Sequence, residues 1–537
     1  MAAPAVLVLV VLTVAACGSD KKPAESPTPV QSETPASQPA AAVYDLSAQT
    51  PPFVAYGADA GDFTHGFSSV DAGDFNGDDA PDLLIGAPFA DGPGNAREDS
   101  GEAYVIFGQP QLSGRVDLAE GEQDVTVFGA AAGDNLGLSV VAADVNGDGL
   151  DDIIVGAPGV SDVGGRDERT DQGRTYVFFG SQDLAESFDL GADAEAFDFV
   201  ITGAEGFSRI GHALAKGDVN GDAVTDLILG APFAGREPGS PPGSPRKEAG
   251  EVYVVYGSSS LSGELHIAFD PVGFMASSEQ RHGQFGAAVA AGDLNGDGID
   301  DVIAGAPQMD FEDRETAGAV YVFFGGRDLG GRRFIAEGEQ DAAMIGAERG
   351  HSLGFPLSAG DINGDGAGDL IAGARSAVVE ETRTAAGAVY LLFGGPGLGG
   401  DHDLAQTPPD SVIYGAGAGD LLPAALLAFD VIGDSARDII VSTSSGPEQR
   451  VQAGAVYIIA GSAALPSAVD LAAAGTGASI VGAEVGDRLG SALAVLSLQA
   501  GGPPAFVLLA SGADGPDNAR EDAGEVYVVP AAETSGR

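Results

Sequence analysis

Tryptophan is absent from this 537-residue chain, cysteine occurs once, and 25 Lys and Arg residues face 79 Asp and Glu residues. A single cysteine cannot form a disulfide within the chain, so the fold depends on its core. The net charge of −54 excludes nucleic acid and an anionic bilayer as partners bound through a basic face, because both require clustered Lys and Arg. With 82 Gly and 31 Pro, the composition favours short strands and tight turns over long helices.

The N-terminus has the pattern of an export signal. The apolar run 6–12 is too short to cross a membrane but suits a signal peptide. It leads to Val14-Ala-Ala-Cys17-Gly, which resembles the bacterial lipobox, although no Lys or Arg precedes the run. The resemblance implies a lipoprotein signal peptide at residues 1–17 and a lipid on Cys17; a buried free thiol is the alternative. Residues 18–43 are rich in Pro, Ser and Ala and are expected to form a disordered tether.

An acidic nine-residue loop recurs along the chain. In Asp293-Leu-Asn-Gly-Asp-Gly-Ile-Asp-Asp301, side-chain oxygens occupy the first, third, fifth and ninth places. Ca²⁺ takes about six to eight oxygen ligands, and alternate residues of a tight loop can point at one ion. Five loops carry the full set and predict about five calcium sites. Their ligands are Asp74, Asn76, Asp78, Asp82, Asp144, Asn146, Asp148, Asp152, Asp218, Asn220, Asp222, Asp226, Asp293, Asn295, Asp297, Asp301, Asp361, Asn363, Asp365 and Asp369.

Two later units depart from this pattern. A sixth loop, 430–438, has Ile432 at the third place and is expected to bind calcium weakly or not at all. In the seventh unit, Ser497-Leu-Gln-Ala-Gly has lost the loop entirely. The alternative for all these loops is a set of Asx-rich surface turns that need no metal.

Four pieces of strand length cycle in fixed order with a period of about 66–75 residues. They are a segment ending on the acidic loop, an apolar run ending in Gly-Ala-Pro, a Gly-x-x-Tyr segment and an apolar step. The middle two pieces are apolar on both faces, so each sheet must be stacked between others. Counting Gly-x-x-Tyr gives seven units, which predicts an all-β, seven-bladed β-propeller of four-stranded blades over residues 44–530, followed by a tail at 531–537.

The two ends of the chain complement each other. The seventh unit stops after its Tyr segment, without a fourth piece. At the other end, Tyr44-Asp-Leu46 leading to residues 53–58 matches Val116-Asp-Leu118 leading to residues 127–130. Residues 44–58 are therefore expected to close the ring by completing the seventh blade.

These motifs resemble the FG-GAP repeats of the integrin α-subunit head, a seven-bladed propeller with calcium loops. In this chain the signatures are Phe285-Gly-Ala-Ala-Val289 and Gly305-Ala-Pro307, whereas Gly373-Ala-Arg375 replaces Gly-Ala-Pro in the fifth unit. The resemblance implies calcium ligands at the loop positions above. It also implies a role in adhesion or in binding a protein or glycan.

An arginine lies four residues before the glycine that opens each Tyr segment, in the connection between second and third strands. This connection lies on the face opposite the acidic loops. Each guanidinium is predicted either to clamp an acidic residue, such as Glu98, Asp134, Asp420 or Asp487, or to recognise an anionic partner. The seven are Arg97, Arg169, Arg246, Arg314, Arg383, Arg450 and Arg520.

The remaining features predict no catalysis. His65, His282 and His351 precede acidic loops and are either turn residues or a transition-metal or catalytic-base site near the axis. No nucleophile, phosphate-loop or zinc motif is present. We expect a monomeric, calcium-binding protein of the cell envelope that contacts membrane only through its lipid, or is secreted if the lipobox is not used. A hydrolase-type enzyme at the axial mouth and a purely structural envelope protein are the alternatives.

Overall fold

The computed structural model describes residues 42–63, 69–108, 112–161, 171–204, 206–235, 248–379, 382–446, 450–473, 478–497 and 504–534. Within them the chain forms seven five-stranded sheets, which are numbered as blades 1 to 7 along the chain. The predicted signal peptide with Cys17, residues 18–41 of the predicted tether and residues 535–537 lie outside the described residues. None of the helices in the described part has both the length and the apolar character of a membrane span.

The strands of each blade are ordered from first to fifth by their hydrogen bonding. Blade 1 contains Val70–Gly73, Asp82–Ala87, Glu102–Ile106, Val125–Phe128 and Ser187–Asp189. Blade 2 contains Val140–Ala143, Asp152–Ala157, Arg174–Phe178, Phe199–Thr202 and Gly263–His266. Blade 3 contains Ala213–Gly217, Asp226–Ala231, Glu251–Val255, Phe274–Ser277 and Gly331–Phe334. Blade 4 contains Ala288–Gly292, Asp301–Ala306, Ala319–Phe323, Ala342–Ile345 and Gly400–Asp403.

The last three blades follow the same order. Blade 5 contains Leu357–Gly360, Asp369–Ala374, Ala388–Leu392, Ser411–Tyr414 and Ala468–Asp470. Blade 6 contains Leu426–Phe429, Asp438–Thr443, Ala455–Ile459, Ala478–Val481 and Val43–Asp45. Blade 7 contains Leu489–Ser497, Pro504–Ala510, Glu525–Pro530, Phe53–Tyr56 and Gly114–Asp117. The described helical segments are Pro93–Asn95, Leu118–Glu120, Ile335–Glu337, Pro516–Asn518 and Ala531–Thr534.

Burial on both faces of the second strand holds the blades together. Every residue of Asp82–Ala87 is buried, and its side chains alternate between two cores. Leu83 and Ile85 pack toward blade 7, whereas Leu84 packs toward blade 2. Seven such cores lie at the seven boundaries between adjacent blades. The prediction of stacked, doubly buried sheets is confirmed.

The glycine of Gly-Ala-Pro lies directly against the backbone of the neighbouring blade. A Cβ built on Gly86 would lie 2.0 Å from the carbonyl oxygen of Gly137 in blade 2. The same overlap occurs between Gly156 and Gly211, at 2.2 Å. Backbone atoms cannot yield to a side chain at these distances, so the glycine is required for the blades to pack.

The blades form a closed ring. The first strand of each blade contacts the first strand of the next, and Leu489–Ser497 of blade 7 returns to Val70–Gly73 of blade 1. Phe53–Tyr56 pairs antiparallel with Glu525–Pro530 as the fourth strand of blade 7. The predicted seven-bladed propeller closed by an N-terminal strand is therefore confirmed.

Two details differ from the prediction. Each blade has a fifth strand, which pairs parallel to the fourth and comes from the segment before the fourth strand of the next unit. For the same reason Val43–Asp45 pairs with Ala478–Val481 in blade 6, and only Phe53–Tyr56 completes blade 7. The last strand ends at Pro530, and Ala531–Thr534 of the tail forms one helical turn against the sheet.

Candidate functional site

The acidic loops join the first and second strands of blades 1 to 5. In blade 4, Oδ1 of Asp293 accepts hydrogen bonds from the N–H groups of Gly296 at 2.8 Å and Asp297 at 2.9 Å, and Oδ2 accepts one from Gly298 at 2.8 Å. The first-place aspartates of the other four loops accept the same three bonds. Gly296 and Gly298 have φ of 77° and 89°, a left-handed backbone that favours glycine. One carboxylate therefore organises the whole turn.

The ninth-place aspartate fastens the loop to the third strand. Asp301 is fully buried, and it accepts hydrogen bonds from the N–H groups of Leu294 at 2.9 Å and Gly325 at 2.8 Å. Burial, only partly offset by these donors, raises the pKa of Asp82, Asp152, Asp226 and Asp301 to about 7 and that of Asp369 to about 6. A cation bound beside these groups would favour their ionised form.

The third-place asparagine brings the remaining oxygens together. Asn146 Nδ2 donates to Asp148 Oδ2 at 3.0 Å and to Asp152 Oδ1 at 3.3 Å, so the side chains of three places meet in one small volume. In blade 3, Asn220 Oδ1 is buried and has no hydrogen-bond partner in the described part of the chain. An acceptor without a donor, set beside carboxylates, suits a hard cation. The donor chemistry of the loops therefore suits calcium, although in the other four loops the asparagine Oδ1 accepts a hydrogen bond from the fifth-place N–H.

The loop backbone does not depend on a complete ligand set. Asp430 of the sixth loop accepts the same three bonds, from Gly433, Asp434 and Ser435, although Ile432 occupies the third place. Among the described residues, no group of three or more His, Cys, Asp or Glu is arranged as a metal site. The Asx turns thus account for the backbone of the loops, and calcium at the five complete loops stays a prediction.

Five of the seven repeat arginines clamp the outer edge of their own blade. In blade 4, Arg314 donates to both carboxylate oxygens of Asp403, at 2.7 and 3.0 Å, and to the carbonyl oxygen of Gly346 at 2.6 Å. The aspartate ends the fifth strand and the glycine follows the fourth, so one guanidinium joins both strands to the loop. The equivalent ion pairs are Arg97–Asp189, Arg383–Asp470, Arg450–Asp45 and Arg520–Asp117.

The other two arginines, Arg169 and Arg246, lie outside the described residues. The fifth strands of their blades end at His266 and Phe334, where the clamped blades have aspartate. The sequence suggested Glu98, Asp134, Asp420 or Asp487 as acidic partners. The five described arginines pair instead with aspartates of the fifth strands, which come from a different unit of the repeat. A sequence pattern could have identified these partners, because each aspartate that pairs with an arginine is followed by leucine, as in Asp117-Leu118 and Asp403-Leu404.

The described histidines do not form a shared site. His282 Nδ1 lies 2.9 Å from Glu248 Oε2, and His351 Nε2 lies 3.4 Å from Glu348 Oε2. No hydrogen bond joins the two histidines, and His65 lies outside the described residues. Burial lowers the pKa of His351, which is 5% exposed. The geometry gives each histidine its own glutamate and does not assemble a common metal or base site.

Parts of the chain are similar to known proteins. Residues 66–106, 136–178, 210–255, 285–323 and 357–392 match the FG-GAP repeat, which places one match on each of blades 1 to 5. Phosphatidylinositol-glycan-specific phospholipase D of Bos taurus is 28% identical over 268 residues, covering 48% of this chain and 29% of that protein. Integrin alpha pat-2 of Caenorhabditis elegans is 32% identical over 248 residues, covering 45% and 18%. Integrin alpha-8 of Gallus gallus is 33% identical over 175 residues, covering 32% and 14%. The chain thus spans less than a third of the length of each relative.

We predict that each arginine clamp contributes measurably to the free energy of unfolding. The Arg450–Asp45 pair is half-buried and fastens the N-terminal strand to blade 6, with side chains 21% and 31% exposed. Arg450→Gln is expected to lower the free energy of unfolding by about 1–2 kcal/mol, between the values for exposed and buried pairs. Urea denaturation at pH 7 measures this, with Arg349→Gln as the control, because Arg349 and Glu315 are 69% and 66% exposed.

The pH dependence gives a second check. The hydrogen bond from Arg450 lowers the pKa of Asp45 to about 2. A lowered folded-state pKa contributes stability above the unfolded-state pKa, and that contribution is lost as pH falls through the folded-state value. The difference between wild type and Arg450→Gln should therefore shrink between pH 4 and pH 2. Equal losses of stability in Arg450→Gln and Arg349→Gln would contradict the clamp.

Proposed function

Because the chain is a propeller of FG-GAP repeats resembling the integrin α-subunit head, we propose that it is a calcium-stabilised module for adhesion or for binding a protein or glycan. The observation that carries this proposal is the set of five complete acidic loops on one face of the matched repeats. Each loop ends at a buried ninth-place aspartate. Calcium there would offset two of the three carboxylate charges in each loop and stiffen one face of the ring. The opposite face, with its longer connections, is then left for a partner.

Calcium removal tests the metal. At ten times a dissociation constant of about 10⁻⁴–10⁻³ M, calcium stabilises by roughly 1.4 kcal/mol per site, so five sites add several kcal/mol. We expect excess chelator to lower the melting temperature steeply in calorimetry. Asp297→Ala should remove one site's share of the calcium effect. Asp434→Ala is the matched control, because Asp434 has the same place in the sixth loop, where Ile432 replaces a ligand.

The calcium proposal fails under a defined result. The same melting temperature in millimolar calcium and in excess chelator would leave the loops as Asx turns alone. If calcium raised the melting temperature of Asp434→Ala less than that of Asp297→Ala, the metal would bind at the sixth loop and not at the fourth, which contradicts the proposal.

We further propose that the protein works outside the cytoplasm and is held by lipid on Cys17, as the sequence of residues 14–18 indicates. Cys17→Ser should move the protein from the membrane fraction to the soluble fraction without changing its melting temperature. Metabolic labelling with a fatty acid gives the second readout, because only the wild type should incorporate it. Unchanged membrane retention of Cys17→Ser would refute the lipid.

A functional test separates the binding module from its rivals. The purified protein, immobilised in millimolar calcium, should retain a surface protein or glycan and release it in chelator, and Asp297→Ala should retain less than Asp434→Ala. A broad hydrolase screen on the same sample tests the enzyme alternative. The similarity to a phospholipase D is the reason for including this screen. Turnover without calcium-dependent retention would favour the enzyme, and neither activity would favour a purely structural envelope protein.

A further inference from the structure

A cavity of about 580 Å³ lies where the first strands of the blades begin. All seven blades contribute to it, so it sits on the axis of the ring. The contributing residues at the starts of the first strands are Ser69, Ser139, Leu214, Val289, Leu357, Ala424 and Ser491. Because the acidic loops follow the ends of the first strands, the cavity opens on the other face, where the arginine-clamped connections lie. Its volume is that of a small-molecule site, about 300–1,000 Å³.

The residue that follows the second strand makes the cavity asymmetric. In blades 1 to 4 this residue is the proline of Gly-Ala-Pro. In blades 5, 6 and 7 it is Arg375, Ser444 and Ser511, and all three line the cavity. The three units that depart from the repeat signature thus place polar side chains at one end of the axis, at equivalent positions. A departure needed only for packing would not be expected to converge on one cavity in this way.

The charge of the lining is opposite to that of the protein. Arg375 and Arg488 line the cavity, and none of its described lining residues is Asp or Glu, although the chain has 79 of them. Neither arginine side chain makes a hydrogen bond or ion pair with the described residues, whereas the five clamp arginines all do. Arg375 also lines an adjoining cavity of about 350 Å³ with no carboxylate among its described lining residues. Burial lowers the pKa of Arg375, and no counter-charge among the described residues offsets this effect.

Two further polar atoms at the cavity have no hydrogen-bond partner among the described residues. Ser511 is fully buried, and its Oγ has no hydrogen bond in the described part of the chain. Nδ1 of His212 is likewise buried without a partner among the described residues, and its ring stacks on Phe233 with centroids 5.9 Å apart. Burial lowers the pKa of His212, which leaves a neutral imidazole able to donate or accept. Unsatisfied buried groups cost free energy unless a ligand or water pairs with them.

We propose that this cavity binds a small organic carboxylate that also carries hydroxyl groups, such as a sugar acid. Arg375 pairs with the carboxylate, and Arg488 adds a second positive charge. Ser444, Ser511 and His212 bond the hydroxyl groups, while Phe355 and Leu357 supply apolar contact. The guanidinium fork matches a carboxylate, and the absence of acids among the described lining residues leaves it for the ligand. This site is independent of calcium and of the proposed adhesion role.

Isothermal titration calorimetry of the full chain in fixed calcium tests the proposal, with D-glucuronate as the probe. Glucose is the neutral analogue of similar size, and sodium sulfate is the inorganic anion. We expect saturable binding of glucuronate, binding of glucose and sulfate at least tenfold weaker, and at least tenfold loss of glucuronate affinity in Arg375→Gln. Since the net charge of −54 repels anions in general, saturable anion binding reports a local site.

Two controls keep the test decisive. Arg281→Gln removes an exposed arginine of another connection and should leave glucuronate binding unchanged. Arg375→Gln should melt no lower than the wild type without ligand, because it removes a partly buried charge that has no partner among the described residues. Sulfate binding as tight as glucuronate, equal losses in Arg281→Gln and Arg375→Gln, or no binding of any probe would each overturn the proposal. A lower melting temperature of ligand-free Arg375→Gln would assign Arg375 a packing role instead.

Discussion

Burial of the second and third strands on both faces is the constraint on which the structure depends. A strand such as Asp82–Ala87 has no polar face to present to water, so a blade is stable only between two others. Each added blade needs a further neighbour on its open face, and this requirement is met when the last blade packs against the first. Gly86 and Gly156 allow the approach, because any side chain there would collide with the backbone of the next blade. Ring closure thus follows from the sequence of every repeat.

The polar side chains serve the same ring from its two faces. On one face, the ninth-place aspartates join each acidic loop to the third strand of its blade. On the other, the five described repeat arginines join the fourth and fifth strands of their blades to the connection between the second and third strands. In a repeat protein the same stabilising contact can recur at the equivalent position of each blade. A blade that lacks the repeat residue can carry a different functional side chain at that position. The axial cavity draws its polar groups from blades 5 to 7, where the Gly-Ala-Pro signature is lost.

Most of the architecture was predictable because it repeats. Seven Gly-x-x-Tyr segments, apolar runs without alternation and a missing fourth piece at the C-terminus specified seven blades and their closure. The fifth strand was not predictable in this way, because segments such as Gly-Asp-His-Asp403 are short, polar and typical of turns. Its absence from the prediction also hid the partners of the arginines, since each aspartate belongs to the neighbouring unit. The acidic loops were recognisable from spacing, but the double role of Asp301 as ligand candidate and buried acceptor emerged only from its surroundings in the fold.

The placement of the first two strands also determines how the ring bears mechanical load. Tension arriving through residue 42 first meets Val43–Asp45, which pairs parallel in blade 6 and ends at the ion pair with Arg450. Beyond it, Phe53–Tyr56 is hydrogen bonded on both sides within blade 7. A pull on the N-terminal side therefore acts on two blades in sequence, because Val43–Asp45 must leave blade 6 before the force reaches Phe53–Tyr56. The strand that closes the ring is thus preceded in the chain by a separate edge strand in the neighbouring blade.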